Sequence, residues 1–517
     1  MKTKKFIKIL RYIILIGLIA NNSIINAQEF TTVALHSEIN QVQPMTGIVF
    51  WSDNESDLNA LGNKVQLEFS YLIYSNVIQE AGEYDWSLVD NLLSKIASNG
   101  HQAILRFRYT YPGETTPSVP NYVRNSSGYQ DQVERVEGAN TYIPDWSSQE
   151  LKDFTLDFFT QFAERYDNDP RLAYVQVGFG SYSEYHLYDG PFQLGKTFPD
   201  KDFQTTFLQH VNNIFKETQW SISIDAASSE YTPIKSSNSL LNLNYGLFDD
   251  SFLHEEHSLT DNEYNRNSWL TFSENRANTN AAGGELNYNS DWDQEHVLDI
   301  EGPYGFTFEE MAELYDISYM IGNDQLNYQT ANRIESAAMA TGYQFEVTAY
   351  KSNGTFTQLT IKNNGIAPIY YDAFPAIGNI RAAESLKGLT TGSSKDFIIN
   401  TVALGEDLTI ACDRLVEGQE IQYRANIELE ETLALINFND VINNVNAYPN
   451  PFTENIIIEN SENENLNIKI FNLLGGLLFE KDLNSSENID TLNLIDGLYL
   501  LKISQGNLTH TKVFVKK

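Results

Sequence analysis

Residues 148–179 read SQELKDFTLDFFTQFAERYDNDPRLAYVQVGF, and this stretch contains the unit from which the central fold is built. An amphipathic helical segment covers 148–166. Ser147, Ser148, Gln149 and Glu150 put capping side chains and an acid where a helix N-terminus needs acceptors and negative charge. Leu151, three residues after Ser148, leaves the capping box incomplete. A short turn then leads into an apolar strand over 173–179. A helix followed closely by a short apolar strand is the repeat of an α/β fold with parallel strands.

The same alternation extends outward from about residue 47 to residue 341. Candidate strands are 47–51, 65–71, 102–109, 173–179, 221–226, 246–252, 281–288 and 316–321, with helices at 86–98, 148–166, 203–217, 267–276 and 308–314. Eight strands in about 300 residues is the size of an α/β (β/α)8 TIM barrel with a few long loops. The third strand stands apart. Ile104, Arg106 and Arg108 share one face, Ala103, Leu105 and Phe107 the other. Parallel strands are normally apolar on both faces, so charges here need partners. Glu68 on the second strand is the expected partner of Arg106, as a salt bridge inside the barrel or as part of a site.

The pattern changes at residue 342. Short alternating segments at 343–349, 356–363, 369–372, 377–382, 396–400, 408–412 and 419–426, separated by Gly, Asn and Ser turns, predict a β-sandwich over 342–426. Residues 427–446 are acidic and asparagine-rich and read as a linker. The final residues, 447–517, predict a small all-β unit with strands at 456–459, 466–471, 476–482, 491–494 and 497–504. At the other end, Lys2, Lys4, Lys5, Lys8 and Arg11 precede an apolar run, 12–20, then polar residues and Ala27. That order is a signal peptide over 1–27, which leaves 28–341 for the barrel domain. The run is too short to span a bilayer, and no later segment approaches one. No cysteine stands at the cleavage point to carry a lipid anchor.

The 517 residues include 34 Lys+Arg against 69 Asp+Glu, a formal charge of −35. This charge repels nucleic-acid phosphates and anionic lipid and excludes them as partners. It also disfavours sulfated or uronate-rich glycans, unless a local basic cleft offsets it. Hydrophobic residues make up 42%, enough for real cores. The one cysteine, Cys412, precludes an internal disulfide and reads as a small buried hydrophobe in a strand. No Cys/His cluster has zinc spacing, and no loop matches an EF-hand, so no metal or cofactor is expected. Asp249-Asp250 and His254-Glu255-Glu256-His257 follow the sixth strand. The latter lacks the H-E-x-x-H spacing and reads as a solvated loop or cleft wall.

Two resemblances follow. The C-terminal segment resembles the type IX secretion sorting domain through Tyr448-Pro449-Asn450-Pro451-Phe452, the strand 468–472 leading to Gly475, the Asp496-Gly497-Leu498-Tyr499 turn and the basic end. This implies passage across an outer membrane, with the type IX secretion machinery as partner and a secreted or cell-surface destination. The central region, about 45–425, resembles clan A glycoside hydrolases and a group of bacterial barrel-plus-sandwich proteins of unknown function. The residues are Tyr174-Val175-Gln176-Val177-Gly178-Phe179-Gly180-Ser181-Tyr182-Ser183-Glu184-Tyr185-His186 after the fourth strand and Ala282-Gly283-Gly284-Glu285-Leu286-Asn287-Tyr288 after the seventh. Clan A barrels carry an acid/base glutamate and a nucleophilic glutamate at those two places.

The resemblance thus implies a secreted retaining glycosidase acting on a polysaccharide or oligosaccharide, with Glu184 as acid/base and Glu285 as nucleophile. Active sites of this fold lie at the C-terminal ends of the strands, so residues about 100 apart in sequence converge. Glycoside hydrolysis needs one protonated and one ionised carboxyl. Gly283-Gly284 is expected to turn the backbone sharply and bring Glu285 to the mouth. Trp51, Arg108, Tyr182, Tyr185, His186, Asp225 and Tyr288 lie near strand ends as candidate substrate-binding residues. One position departs from the clan pattern: Ser183 stands where an asparagine normally meets the sugar 2-hydroxyl. This departure keeps open a non-catalytic carbohydrate-binding or adhesion protein on a barrel scaffold. There is no G-x-S-x-G elbow to support an esterase.

Overall fold

The computed structural model describes residues 30–255, 264–272, 275–288, 290–403, 407–429, 445–461, 463–473, 475–506 and 508–517. The expected signal peptide, most of the expected linker, and Glu256 and His257 lie outside the described residues. The chain forms two compact units, residues 1–429 and 430–517.

The first unit is centred on a closed barrel of eight parallel strands. They are β1 Gly47–Trp51, β2 Leu67–Ile73, β3 Gln102–Arg108, β4 Leu172–Val177, β5 Gln219–Ser223, β6 Gly246–Phe252, β7 Ala282–Leu286 and β8 Tyr319–Ile321. Each pairs with the next, and β8 closes on β1. The TIM barrel expected from the alternation is therefore present. Helices α1 Ser87–Ser98, α2 Gln149–Tyr166, α3 Lys201–Ile214, α4 Tyr264–Thr271, α5 Phe308–Leu314 and α6 Ala331–Met339 are among those between or after the strands. The α2 helix shows why the sequence folds this way. Ser148 caps it, its hydroxyl accepting from the Leu151 N–H at 3.3 Å. Its buried stripe of Leu151, Phe154, Phe158 and Phe162 packs into the layer between barrel and helices.

Register fixes what fills the barrel. Across β2, β3 and β4, Tyr71 pairs with Arg106 and Arg106 with Gln176. Arg106 Nε donates to Gln176 Oε1 at 2.7 Å, and Gln176 donates to the Tyr319 hydroxyl at 3.0 Å. A polar column therefore climbs the barrel interior toward the C-terminal mouth.

The remaining strands of this unit form two sheets. One runs Ser394–Ile399, Thr357–Asn363, Phe345–Ser352, Tyr423–Ile427, Leu35–Ser37, and the other Ile380–Arg381, Ala373–Ile377, Leu408–Cys412. They share a core that includes Phe345, Leu359, Phe397, Ile377 and Ile410. Thr31–Thr32 and Leu35–Ser37, which the sequence reading placed with the barrel, pair with strands of the first sheet instead. Only Leu35 of that stretch is apolar and fully buried, too little to pack as a barrel layer, and edge pairing satisfies its backbone. The expected strand at 369–372 is not one. Tyr370 and Tyr371 leave the sheets and plug the N-terminal end of the barrel beside Tyr174 and Tyr319. The Tyr371 hydroxyl donates to the Ala173 carbonyl and accepts from the Gln219 N–H at 3.1 Å. Cys412 is half-buried rather than fully buried, and burial still pushes its thiol pKa up.

The second unit has a three-stranded sheet, Val445–Tyr448, Asn455–Asn460 and Glu487–Asp490, and a four-stranded sheet, Leu477–Leu483, Leu466–Asn472, Gly497–Gln505 and Leu508–Lys516. Their shared core includes Phe452, Ile458, Ile468 and Phe514. No helix among the described residues is long and apolar enough to cross a membrane.

Candidate active site

A cleft of about 1040 Å³ opens at the C-terminal mouth of the barrel. Its floor is set by Arg106, which is 0% exposed. The guanidinium Nη1 lies 3.5 Å from Glu184 Oε1 and donates to the Tyr71 hydroxyl and the Tyr182 carbonyl, both at 3.0 Å. Nη2 lies 3.2 Å from Glu285 Oε1. One planar fork therefore touches both carboxylates. Glu68, the partner expected for Arg106, does not reach it. Glu68 and Tyr71 are three apart on β2 and so face opposite sides. Glu68 instead meets His101 at 2.8 Å and Asn99 at 2.9 Å.

Glu184 sits on a tightly wound loop after β4. The N–H groups of Phe179 and Gly180 donate to its carbonyl at 3.0 and 2.9 Å, and Ser181 N–H donates to His186 O at 3.0 Å. Tyr182 and Ser183 both adopt left-handed φ, 56° and 59°. Two such residues in succession carry backbone strain, held here by surrounding bonds. The Ser183 hydroxyl donates to Phe107 O at 2.6 Å, and Ser183 is fully buried, so it does not face the cleft. Gly178 and Gly180 allow the loop to fold onto itself: a Cβ there would stand 1.8 and 1.9 Å from the carbonyls of Ser183 and His186. Glu285 is the fourth residue of β7. Gly283 and Gly284 do not turn the chain, because both lie within the strand. Their missing side chains leave room for the Tyr319 ring and the Asp249 backbone, 2.3 and 2.1 Å from where a Cβ would be.

A third and fourth carboxylate complete the floor. The Tyr188 hydroxyl bridges Glu184 Oε2 at 3.2 Å and Asp250 Oδ2 at 2.8 Å. Asp225 lies 3.0 Å from His186 Nδ1 and accepts from Ser223 at 2.9 Å and Tyr264 at 3.2 Å. Oxygens of Glu184, Asp225 and Asp250 all lie within 4.8 Å of one another, close enough to share one cation. Burial, then the nearby Asp250 charge, pushes the Glu184 carboxyl well above its ordinary range, against the pull of Arg106. Burial also raises Glu285, while Arg106 opposes the rise by charge and hydrogen bond. For His186, burial favours the neutral ring, but Asp225 outweighs it and the pKa stands above the usual value.

Of the substrate-binding residues expected from sequence, Trp51, Tyr182, His186, Asp225 and Tyr288 line the cleft. Tyr185 does not: it is fully buried against Phe179, because the left-handed turn before it points it into the helix layer. Arg108 is also absent from the lining. It pairs with Glu114 at 2.7 and 2.9 Å and stacks on Tyr111, which does line the cleft. Sequence reading missed Tyr71, Tyr111, Tyr188 and Glu137. Tyr71 and Tyr188 had a signal, lying at the end of the second strand and two residues after His186. Glu137 had none. It is the φ 48° turn residue of an unforeseen hairpin, Gln132–Val136 with Ala139–Ile143, and accepts from Tyr182 at 2.9 Å.

Comparison with known proteins bears mainly on the C-terminal unit. Residues 446–517 match the family described as the Secretion system C-terminal sorting domain, so the sorting domain expected there is present. A search of curated proteins finds no match. Among solved structures, the chain is similar to endo-glycoceramidase II from Rhodococcus sp. at 10% identity and a TM-score of 0.36, covering 72% of this chain and 100% of that one. It is similar to a GH30 endoxylanase from Clostridium papyrosolvens C71 at 11% identity and a TM-score of 0.35, with coverage of 72% and 100%. It is also similar to the catalytic domain of a β-amylase from Paenibacillus polymyxa at 9% identity and a TM-score of 0.36, with coverage of 58% of this chain and 99% of that one. Likeness at this level carries nothing about the site, and the barrel rests on its own hydrogen-bonded topology.

Proposed function

We propose that this protein is a glycoside hydrolase, exported through the type IX route that its C-terminal sorting domain addresses, and that it acts on an extracellular polysaccharide or oligosaccharide. The observation that carries the reading is the Arg106 fork between Glu184 and Glu285 at the barrel mouth. Hydrolysis of a glycosidic bond needs two carboxyls whose environments push their pKa values apart. Glu184, beside Asp250, favours the protonated state and suits the general acid that meets the leaving oxygen. Burial raises Glu285 as well, but Arg106 opposes that rise by charge and hydrogen bond, and in this reading Glu285 is the carboxylate that attacks the anomeric carbon.

Retention follows in this reading, with Glu184 returning as base to activate water against a glycosyl–Glu285 ester. Trp51 and the tyrosines of the cleft wall supply sugar-stacking faces. The first 27 residues act as the export signal and 427–446 as the linker. NMR of the first sugar released tests the mechanism: an anomer matching the substrate's supports it, and the opposite anomer contradicts it.

One observation favours the alternative of a carbohydrate-binding barrel without turnover. The Ser183 hydroxyl is committed to Phe107 O and leaves the usual contact to the sugar 2-hydroxyl unmade.

A further inference from the structure

The Tyr188 hydroxyl stands between two carboxyl groups, 2.8 Å from Asp250 Oδ2 and 3.2 Å from Glu184 Oε2. A phenol carries one hydrogen, so it serves one of the two at a time. The shorter contact gives that hydrogen to Asp250. Asp225 has donors of its own, Ser223 at 2.9 Å and Tyr264 at 3.2 Å, with His186 Nδ1 3.0 Å away. Glu184 Oε1 lies 3.5 Å from Arg106 Nη1, beyond the roughly 2.7–2.9 Å of a charge-assisted hydrogen bond. The same guanidinium comes closer to Glu285, at 3.2 Å. Of these neighbouring carboxyls, Glu184 is the least served by donors, and a hydrogen bond to Asp250 favours its protonated form.

The elements packed around Glu184 each bring a group to it. Tyr71 comes from β2, Arg106 from β3, Asp225 from the turn after β5 and Asp250 from β6. Glu285 of β7 is held by the other terminal nitrogen of Arg106. Tyr182, His186 and Tyr188 belong to the loop of Glu184 itself. Burial acts first on the Glu184 carboxyl and the Asp250 charge second, with Asp225 adding to them and Arg106 opposing.

We propose that Asp250 and Tyr188 are positioning residues for the acid: Asp250 keeps the proton on Glu184 until a leaving oxygen takes it, and the Tyr188 hydrogen then turns from Asp250 toward the Glu184 carboxylate. This rests on the hydrolase reading above. In the first step the Glu184 proton passes to the leaving oxygen. That oxygen takes the electrons of the breaking C–O bond while Glu285 bonds the anomeric carbon. Glu184 is then an anion beside a second anion, and the phenol is a donor within reach of both. In the second step water bonds the anomeric carbon, its proton returns to Glu184, and the electrons of the ester bond return to Glu285. The Tyr188 hydrogen stays on its own oxygen throughout and changes only the carboxylate it faces.

Carbon-13 NMR titration of protein labelled at the glutamate side-chain carboxyls tests this without a substrate, the Glu184 signal being the one lost in Glu184→Gln. Asp250→Asn removes the charge and keeps the shape. The Glu184 midpoint is expected to fall by about one pH unit or more, tenfold in acid strength. Tyr188→Phe keeps the ring and removes the hydrogen, and the midpoint is expected to rise, because two close anions lose their shared donor. The opposite signs separate this role from a structural one, since a loosened floor admits water and lowers the midpoint in both variants. Asp250→Ser replaces Asp250→Asn if the latter does not fold. On any glycan that wild type hydrolyses, the alkaline limb of kcat/KM should shift with the NMR midpoint. A midpoint unmoved by Asp250→Asn, or not raised by Tyr188→Phe, overturns the inference, and sugar release by wild type would leave the hydrolase reading standing beside that result. Midpoints that move as expected, with no glycan hydrolysed, would overturn the hydrolase reading and leave the proton arrangement.

Discussion

Arg106 Nη2 stands 3.2 Å from Glu285 Oε1, with Arg106 fully buried and Glu285 only 8% exposed where it lines the cleft. A buried cation facing buried carboxylates is a coupled system: removing one partner leaves the others unpaired in a poorly solvated place. Arg106→Met is therefore expected to destabilise the first unit by about 3–5 kcal/mol. Arg106→Lys keeps the charge but loses the fork and should fall between the variant and wild type. Thermal unfolding of the three proteins checks the order, and Arg106→Met as stable as wild type would contradict it.

The loop that presents Glu184 depends on two glycines. Gly178→Ala and Gly180→Ala place a methyl less than 2 Å from backbone carbonyls, which must then move. Each is expected to cost about 3 kcal/mol or more and to disturb the position of Glu184. Denaturant unfolding together with glycan binding measures both effects.

The barrel was legible because its signal is repetitive: α2 and β4 show the helix-then-strand unit, and seven more apolar runs repeat it. That Glu184 and Glu285 share one cleft was legible from the clan A resemblance, which puts glutamates at those two strand ends, and from the single mouth that strand ends form on this fold. The partner of Arg106 was not. Alternation put Arg106 on one face of β3, but only closure of the barrel brings Glu184 and Glu285, far apart in sequence, against it. Tyr185 was misplaced for a local reason: the successive left-handed residues Tyr182 and Ser183 reverse the alternation that an extended loop would keep. Tyr370 and Tyr371 look like a strand in sequence, since aromatic pairs suit strands as well as plugs.

A pH effect on stability follows from Glu184. Its pKa in the fold is raised above 4.5, so the protonated form is the one the fold favours. That contribution is complete below the unfolded value and is lost as pH rises from about 4.5 through the raised folded value. Glu184→Gln has no proton to lose. The Tm of Glu184→Gln minus that of wild type should therefore increase as pH rises from 4 to 8, at roughly 2–4 °C for each kcal/mol gained. A difference that stays flat or declines would contradict the raised pKa.

The barrel plug gives a prediction away from the site. Tyr371→Phe removes the hydroxyl that serves the Ala173 carbonyl and the Gln219 N–H, leaving two buried backbone groups unpaired. A loss of about 2–3 kcal/mol is expected, with glycan binding at the opposite end unchanged. Unfolding and binding measured on the same preparation separate the two.

The central claim, that Glu184 and Glu285 form a hydrolytic pair, is tested most directly by sugar release. The protein without its first 27 residues would be assayed on a panel of plant, algal and amino-sugar polysaccharides beside Glu184→Gln and Glu285→Gln. The expected result is release by wild type and a loss of several orders of magnitude in both variants, with folding and glycan binding retained. Binding without release from any member of the panel, unchanged by either substitution, would contradict it and leave an exported sugar-binding barrel.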